Sequence, residues 1–161
     1  VPLRNTGSAI SPFNAFQIMQ GLETLPLRMD RICENSVKIA EFLESHPKVA
    51  WVNYAGLKSH KDFALVEKYC SGKASGILNF GLTGGKTAGA KFQDSLALFT
   101  RLVNIGDCKS LACHPASTTH RQLSPNELDL AGVTDDMVRL SIGIENLEDL
   151  LEDLDQALSQ T

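Results

Sequence analysis

The sequence predicts an α/β (α+β) fold, a small sheet covered by helices. Three observations lead there. From residue 47 onward, short strand-like runs alternate with helical ones. Met137 to Ile144 places unlike residues on alternate positions, the mark of a strand with two different faces. Leu147, Leu150, Leu151, Leu154 and Leu158 form one apolar stripe at helical spacing, which needs an apolar layer to cover.

The elements follow in order. Val1 to Ile10 carries no clear pattern. Ser11-Pro12 opens a helix, because Ser caps free amides and Pro at the first position lacks the donor that would be orphaned. Pro26 ends or kinks it. Met29, Ile32, Cys33, Val37, Ala40 and Leu43 then recur with a helical period until His46-Pro47. Val49 to Tyr54 reads as a strand, punctuated by Gly56. Ser59 with Asp62 reads as a capping box for a helix over Lys61 to Cys70, ended by Gly72. Gly76 to Leu82 is a second strand and Lys86 to Phe99 a helix, with Ala88, Phe92, Leu96 and Phe99 on one side. Arg101 to Ile105 and Ser110 to Cys113 read as short strands flanking Gly106-Asp107. Ser124-Pro125-Asn126-Glu127 repeats the capping-box pattern and Gly132 closes that helix. Asn146 caps the last helix.

Composition bounds the function. With 43% hydrophobic and 21% charged residues, neither a disordered chain nor a membrane protein is indicated. A formal charge of −4 without a Lys/Arg run offers no nucleic-acid or polybasic membrane surface. No signal peptide is evident, and Val1 in place of an initiator Met reads as a processed, proteolysed or cloned piece. Cys33, Cys70, Cys108 and Cys113 are irregularly spaced and read as reduced thiols of a cytoplasmic protein.

Three motifs invite chemistry. In Met137 to Glu145, Val138, Leu140, Ile142 and Ile144 share one face, and Arg139, Ser141 and Gly143 the other. Arg139 is then a solvated or ion-paired strand residue, or an anion site whose planar fork matches a carboxylate. Asn104 to His120 concentrates Gly, Asp, Cys, Ser, Thr and His. Its C-x4-C-H-x5-H spacing over Cys108, Cys113, His114 and His120 fits no common zinc pattern, and no metal is expected. A Cys–His nucleophile pair and plain loop structure are the other readings of that segment. Gly84-Gly85-Lys86-Thr87 lacks the phosphate-loop glycine, since Phe80 occupies its position, so an ordinary helix entry is expected.

Four segments carry a resemblance. SPFNAFQIMQGLETLPLRM (Ser11 to Met29), HPKVAWVNYAGL (His46 to Leu57), Gly106 to His120 with its HPASTTH, and VRLSIGIE (Val138 to Glu145) are similar to the Cys/Met-metabolism family of pyridoxal-phosphate (PLP) enzymes. They lie in family order and match its C-terminal domain. The resemblance implies the C-terminal domain of a fold-type I PLP enzyme, preceded by long interdomain helices. Residues 1–161 then form a single substrate-side domain: a helical connecting segment, 1–46, and a small sheet with helices, 47–161. On this resemblance the PLP-binding domain is expected to be absent from these residues.

Within the family the chain most resembles the O-acetylhomoserine sulfhydrylases, which also carry Asn where many relatives have Ser at position 104. This implies γ-replacement of acetate by sulfide or methanethiol, giving homocysteine or methionine. The alternatives are a cystathionine γ-synthase, a methionine or cystathionine lyase, or a non-catalytic binding module that kept the fold. The resemblance assigns the substrate α-carboxylate to Arg139, with the neighbourhood of Asn104 beside it and Thr118 and Thr119 lining the pocket. The lysine that carries PLP is expected upstream, so this chain is expected to hold no catalytic or cofactor-binding residue and to be inactive alone. The expected partners are its own N-terminal PLP domain, a small-molecule substrate and further copies in a homo-oligomer, with no nucleic acid and no membrane.

Overall fold

The computed structural model of the protein describes residues 2–7 and 9–161. Helix α1, Pro2–Asn5, lies where no regular structure was expected; Val1 and Ser8, in the same stretch, lie outside the described residues. Ser11 caps α2 (Pro12–Glu23) by accepting the Asn14 N–H on Oγ at 3.2 Å. Pro26 both stops that helix and sits in the first turn of α3 (Leu25–Ser45), where its missing donor is harmless. The face of α3 bearing Ile32, Ile39, Ala40 and Leu43 is buried, whereas α2 buries no residue at all.

Five strands form one sheet: β1 (Val49–Asn53), β2 (Ile77–Leu82), β3 (Thr100–Arg101), β4 (Leu111–Cys113) and β5 (Met137–Ser141), in the order β1-β2-β5-β4-β3. All neighbours are antiparallel except β3 and β4. The register pairs Phe80 with Val138 and Leu78 with Leu140, so one face of the central strands is apolar. Helices α3, α5 (Gly85–Ser95) and α7 (Leu147–Ser159) cover that face. Phe80 and Phe92 meet edge to face at 5.5 Å between ring centres. Leu150, Leu154 and Leu158 of α7 are buried, as their spacing requires, and each contributes about 1.5–3 kcal/mol of burial. Asn146 caps α7 by accepting the Glu148 N–H at 2.8 Å. On the opposite face, α6 (Pro125–Leu130) closes a smaller cluster of Leu128, Val133 and Met137 against Trp51.

Tertiary contacts moved four expected boundaries. Helix α4 spans Phe63–Cys70 without the expected capping box: Ser59 donates instead to Glu44 Oε1 at 2.5 Å, and Asp62 makes no cap bond. Helix α5 stops at Ser95 rather than Phe99. Asp153 of α7 draws off the N–H groups of Ala97, Leu98 and Phe99 at 2.8, 2.9 and 3.0 Å, and these can no longer serve a helix. Strand β3 ends at Arg101, not Ile105, because the chain lifts off there and the Asn104 carbonyl is taken by Arg139. Strand β5 ends at Ser141. Ile142 is buried as expected, but Ile144 is exposed because its N–H bonds the Cys108 carbonyl and leads the chain away from the sheet.

The Asp153 carboxylate is buried, which alone would raise its pKa; the N–H groups of Phe99, Ala97 and Leu98, with Gln156, outweigh this and hold it below its ordinary value. A depressed carboxylate stabilises above its unfolded pKa and loses that contribution as pH falls through the folded value. Stability is therefore expected to be complete above about pH 4 and to drop below it through this group. Asp153→Ala strands three N–H groups and should cost about 2–4 kcal/mol. Urea unfolding of both proteins at neutral and acid pH checks this: the gap between them should close as pH falls.

Candidate functional site

The face of the sheet opposite α3, α5 and α7 carries a polar row. Asn53 of β1 pairs with Asn79 of β2, Asn79 with Arg139 of β5, and Arg139 with Cys113 of β4, so all four side chains leave the sheet on one side. Arg139 is half-buried, and its Nη2 donates to the Asn104 carbonyl at 3.3 Å. Among the described residues no carboxylate lies within ion-pair distance of it. The ion-paired reading of Arg139 therefore fails, and most of its donor fork is left for something else.

Asn104 contributes its backbone. Its side chain closes a local turn, with Oδ1 accepting the Ile105 N–H at 2.9 Å. Thr118 stands beside Cys113, with Oγ1 3.2 Å from Sγ and donating to the His114 carbonyl at 2.8 Å. Cys113 and Thr118 line an open concavity of about 390 Å³, completed by Arg101, Leu102 and Val103. Thr119 does not line it; its hydroxyl is 2.8 Å from His120 Nδ1, and it is exposed. The structure thus joins Arg139 to Asn104, places Thr118 next to the neighbouring Cys113, and leaves Thr119 outside.

The Cys–His nucleophile reading does not survive. Cys113 faces Thr118 rather than an imidazole. His114 is buried with both ring nitrogens occupied, Nδ1 by Ser117 Oγ at 2.8 Å and Nε2, the donor, by the Asp135 carbonyl at 2.9 Å. His120 is held by Thr119. Among the described residues no three His, Cys, Asp or Glu side chains converge, and the four cysteines are free. Two features had no local sequence signal. Asn79 Oδ1 is buried beside Arg139 without a hydrogen-bond partner. Glu145 bonds Ser110 through both carboxylate oxygens. Only strand register and loop return bring these groups together.

The family model of the "Cys/Met metabolism PLP-dependent enzyme" matches residues 2–159. The chain belongs to this family. It is 56% identical over 157 residues to an O-acetyl-L-homoserine sulfhydrylase of Leptospira meyeri, covering 97% of this chain and 36% of that protein. A sulfhydrylase of the same description from Thermus thermophilus is 48% identical, with 98% and 37% covered. An L-methionine gamma-lyase of Pseudomonas putida is 44% identical, with 95% and 38% covered. A crystal structure from Campylobacter jejuni, described as an O-acetylhomoserine (thiol)-lyase bearing pyridoxyl-lysine monophosphate, superposes with a TM-score of 0.87 at 45% identity, covering 98% of this chain and 37% of that one. The chain spans little more than a third of the length of the relatives it matches.

The residues of this family member do not fit a PLP-carrying site. Eight of its nine lysines are exposed: Lys38 pairs with Glu41, Lys73 with Asp30, and Lys68 lies over the Tyr69 ring. The ninth, half-buried Lys48, donates to the Thr161 carbonyl at 2.6 Å. No lysine lines the concavity at Cys113 and Thr118, and Arg139 and Asn104 are not among its lining residues either.

One close approach supports the loop that bears Thr118. A side chain on Gly89 of α5 would penetrate the His114 ring. Gly89→Ala is therefore expected to destabilise by about 1–3 kcal/mol, in spite of alanine's better helix propensity. Thermal unfolding measures it; a gain in stability would refute the packing.

Proposed function

We propose that this chain is the substrate-side, C-terminal part of a PLP-dependent O-acetylhomoserine sulfhydrylase, a transferase that replaces acetate with sulfide or methanethiol at the γ-carbon. The C–O bond to acetate breaks, a C–S bond forms, and homocysteine or methionine results. The observation that carries the reading is Arg139, half-buried in a polar row with its fork unpaired by any described carboxylate. Such a fork takes an α-carboxylate with two parallel, charge-assisted bonds. Holding that carboxylate fixes the substrate's Cα–H bond in one orientation, which is a positioning role. The Asn104 carbonyl accepts from the guanidinium, and Thr118 lines the concavity at Cys113, the cross-strand neighbour of Arg139, with Thr119 further out.

PLP supplies an electron sink for carbanions and is held, in this reading, by an upstream domain of the longer protein. Helix α2 offers a surface for that domain: Phe13, Phe16, Ile18, Met19 and Leu22 are all more than half exposed, far from the usual state of such side chains. Residues 1–46 then act as the helical connection and 47–161 as the sheet unit, in a homo-oligomeric, cytoplasmic enzyme. No helix among the described residues is long and apolar enough to cross a membrane. The methionine gamma-lyase likeness supports a second reading, elimination from methionine. Supplying the full-length enzyme with O-acetylhomoserine plus sulfide, and separately with methionine alone, distinguishes the two.

In the full-length enzyme, Arg139→Ala is expected to lower kcat/KM by about 3 kcal/mol or more, roughly a hundredfold, because two bonds to a charged group are lost. Arg139→Lys should fail as well, since a point charge cannot reproduce the fork. Near-normal kinetics in either variant would sink the carboxylate role.

The 161-residue chain alone is expected to form no stoichiometric PLP adduct and to leave O-acetylhomoserine unchanged. Incubation with PLP, borohydride reduction and peptide mapping test this. A single fully labelled lysine would place the cofactor site in this chain; scattered partial labelling of exposed lysines would agree with the proposal.

A further inference from the structure

Among the described residues one hydrogen bond holds the Arg139 side chain, and at 3.3 Å it is a long one. Its acceptor, the Asn104 carbonyl, belongs to a loop over residues 102–110 that is exposed along most of its length and buried at Ser110. What fixes the loop therefore fixes the guanidinium. Its first end leaves β3 at Arg101. Its other end is tied to the segment beyond β5 by a compact set of bonds. The Ser110 N–H donates to Glu145 Oε1 at 2.6 Å and the Ser110 hydroxyl to Oε2 at 2.9 Å. The same hydroxyl oxygen accepts the Gly143 N–H at 2.9 Å, and the Cys108 carbonyl accepts the Ile144 N–H at 3.0 Å. Asn35 of α3 donates to the carbonyls of Gly143 and Glu145 at 3.2 and 3.1 Å, which anchors the latch to the buried face of that helix. The approach is so close that a side chain on Gly143 would collide with the Cys108 carbonyl, Lys109 and the Glu145 carboxylate.

We infer that Glu145 and Ser110 are positioning residues for the carboxylate grip: their latch sets the 102–110 loop, and through the Asn104 carbonyl the pose of Arg139. The inference rests on the carboxylate reading of Arg139. Two physical points support it. The loop end at Ser110 is held by two bonds to a carboxylate at 2.6 and 2.9 Å and by the Gly143 N–H at 2.9 Å, against one bond of 3.3 Å at Arg139, so the latch is the firmer of the two attachments. Both oxygens of Glu145 accept from Ser110, and among the described residues no ion pair joins this acid to Arg139, so the guanidinium is left for a substrate carboxylate.

The test is a mutant cycle in the full-length enzyme. Glu145→Ala and Ser110→Ala should raise KM for the amino-acid substrate about tenfold, the loss of one bond to a charged group, with kcat changed less than about twofold. Glu145→Gln keeps the size and one acceptor oxygen and should recover part of the loss. The deciding variant joins Glu145→Gln to Arg139→Lys. Residues that act through one another are non-additive, so the Glu145 effect should shrink to within about twofold when the fork is already gone. A Glu145 effect that persists in full beside a damaging Arg139→Lys overturns the latch while leaving the carboxylate reading intact. Arg139→Lys at wild-type KM overturns both. Should Glu145→Ala fail to fold, Glu145→Gln and Ser110→Ala carry the cycle.

Discussion

Everything in this protein hangs on the two faces of β5. Side chains on a strand alternate, so Val138 and Leu140 must go one way and Arg139 the other. The apolar pair is sealed under α3, α5 and α7, with both residues fully buried. That burial fixes the register, because a slip of one residue would drive a guanidinium into the core. The position of the candidate carboxylate grip is thus enforced by the hydrophobic effect on the far side of the sheet. Arg139 needs no ion pair to hold it in the strand.

Buried polar groups then connect this strand to its surroundings. Asp153 of α7 reaches across to end α5 and turn the chain toward β3. Around the 3-10 turn Pro115–Ser117, His114 pairs with Ser117 and His120 with Thr119, while Thr118 donates to the His114 carbonyl and the His120 N–H to that of Pro115. Glu145 and Ser110 fasten the loop that returns to Arg139. In each case a polar side chain takes up backbone N–H or C=O groups that regular structure leaves unpaired, and an unpaired buried group would cost about 1–3 kcal/mol. The HPASTTH segment, rich in residues that suggest chemistry, is in large part this kind of local satisfaction.

Legibility in the sequence followed the range of the interaction. Ser11 and Asn146 cap their helices as the sequence suggests, because a cap is decided within three residues. The pattern at Ser59 and Asp62 looked the same and misled, because Glu44, distant in sequence, took the Ser59 hydroxyl. The candidate site divides in the same way. Arg139 could be picked out from alternation alone. Its contact with the Asn104 carbonyl, its place beside Asn79 and Cys113, and the peripheral position of Thr119 depend on how β2, β4 and β5 align.

The sequence by itself determined the helices with their apolar stripes, the two-faced strand and, through its motifs, the family. These properties are periodic or local, and a few neighbouring residues suffice to impose them. Only the tertiary structure decided where α5 and β5 stop, which carbonyl holds Arg139, and that Glu145 is spent on Ser110. Those outcomes are competitions for hydrogen-bond partners between residues far apart in the chain, and the winner is set by the packing of the sheet and helices that brings them together.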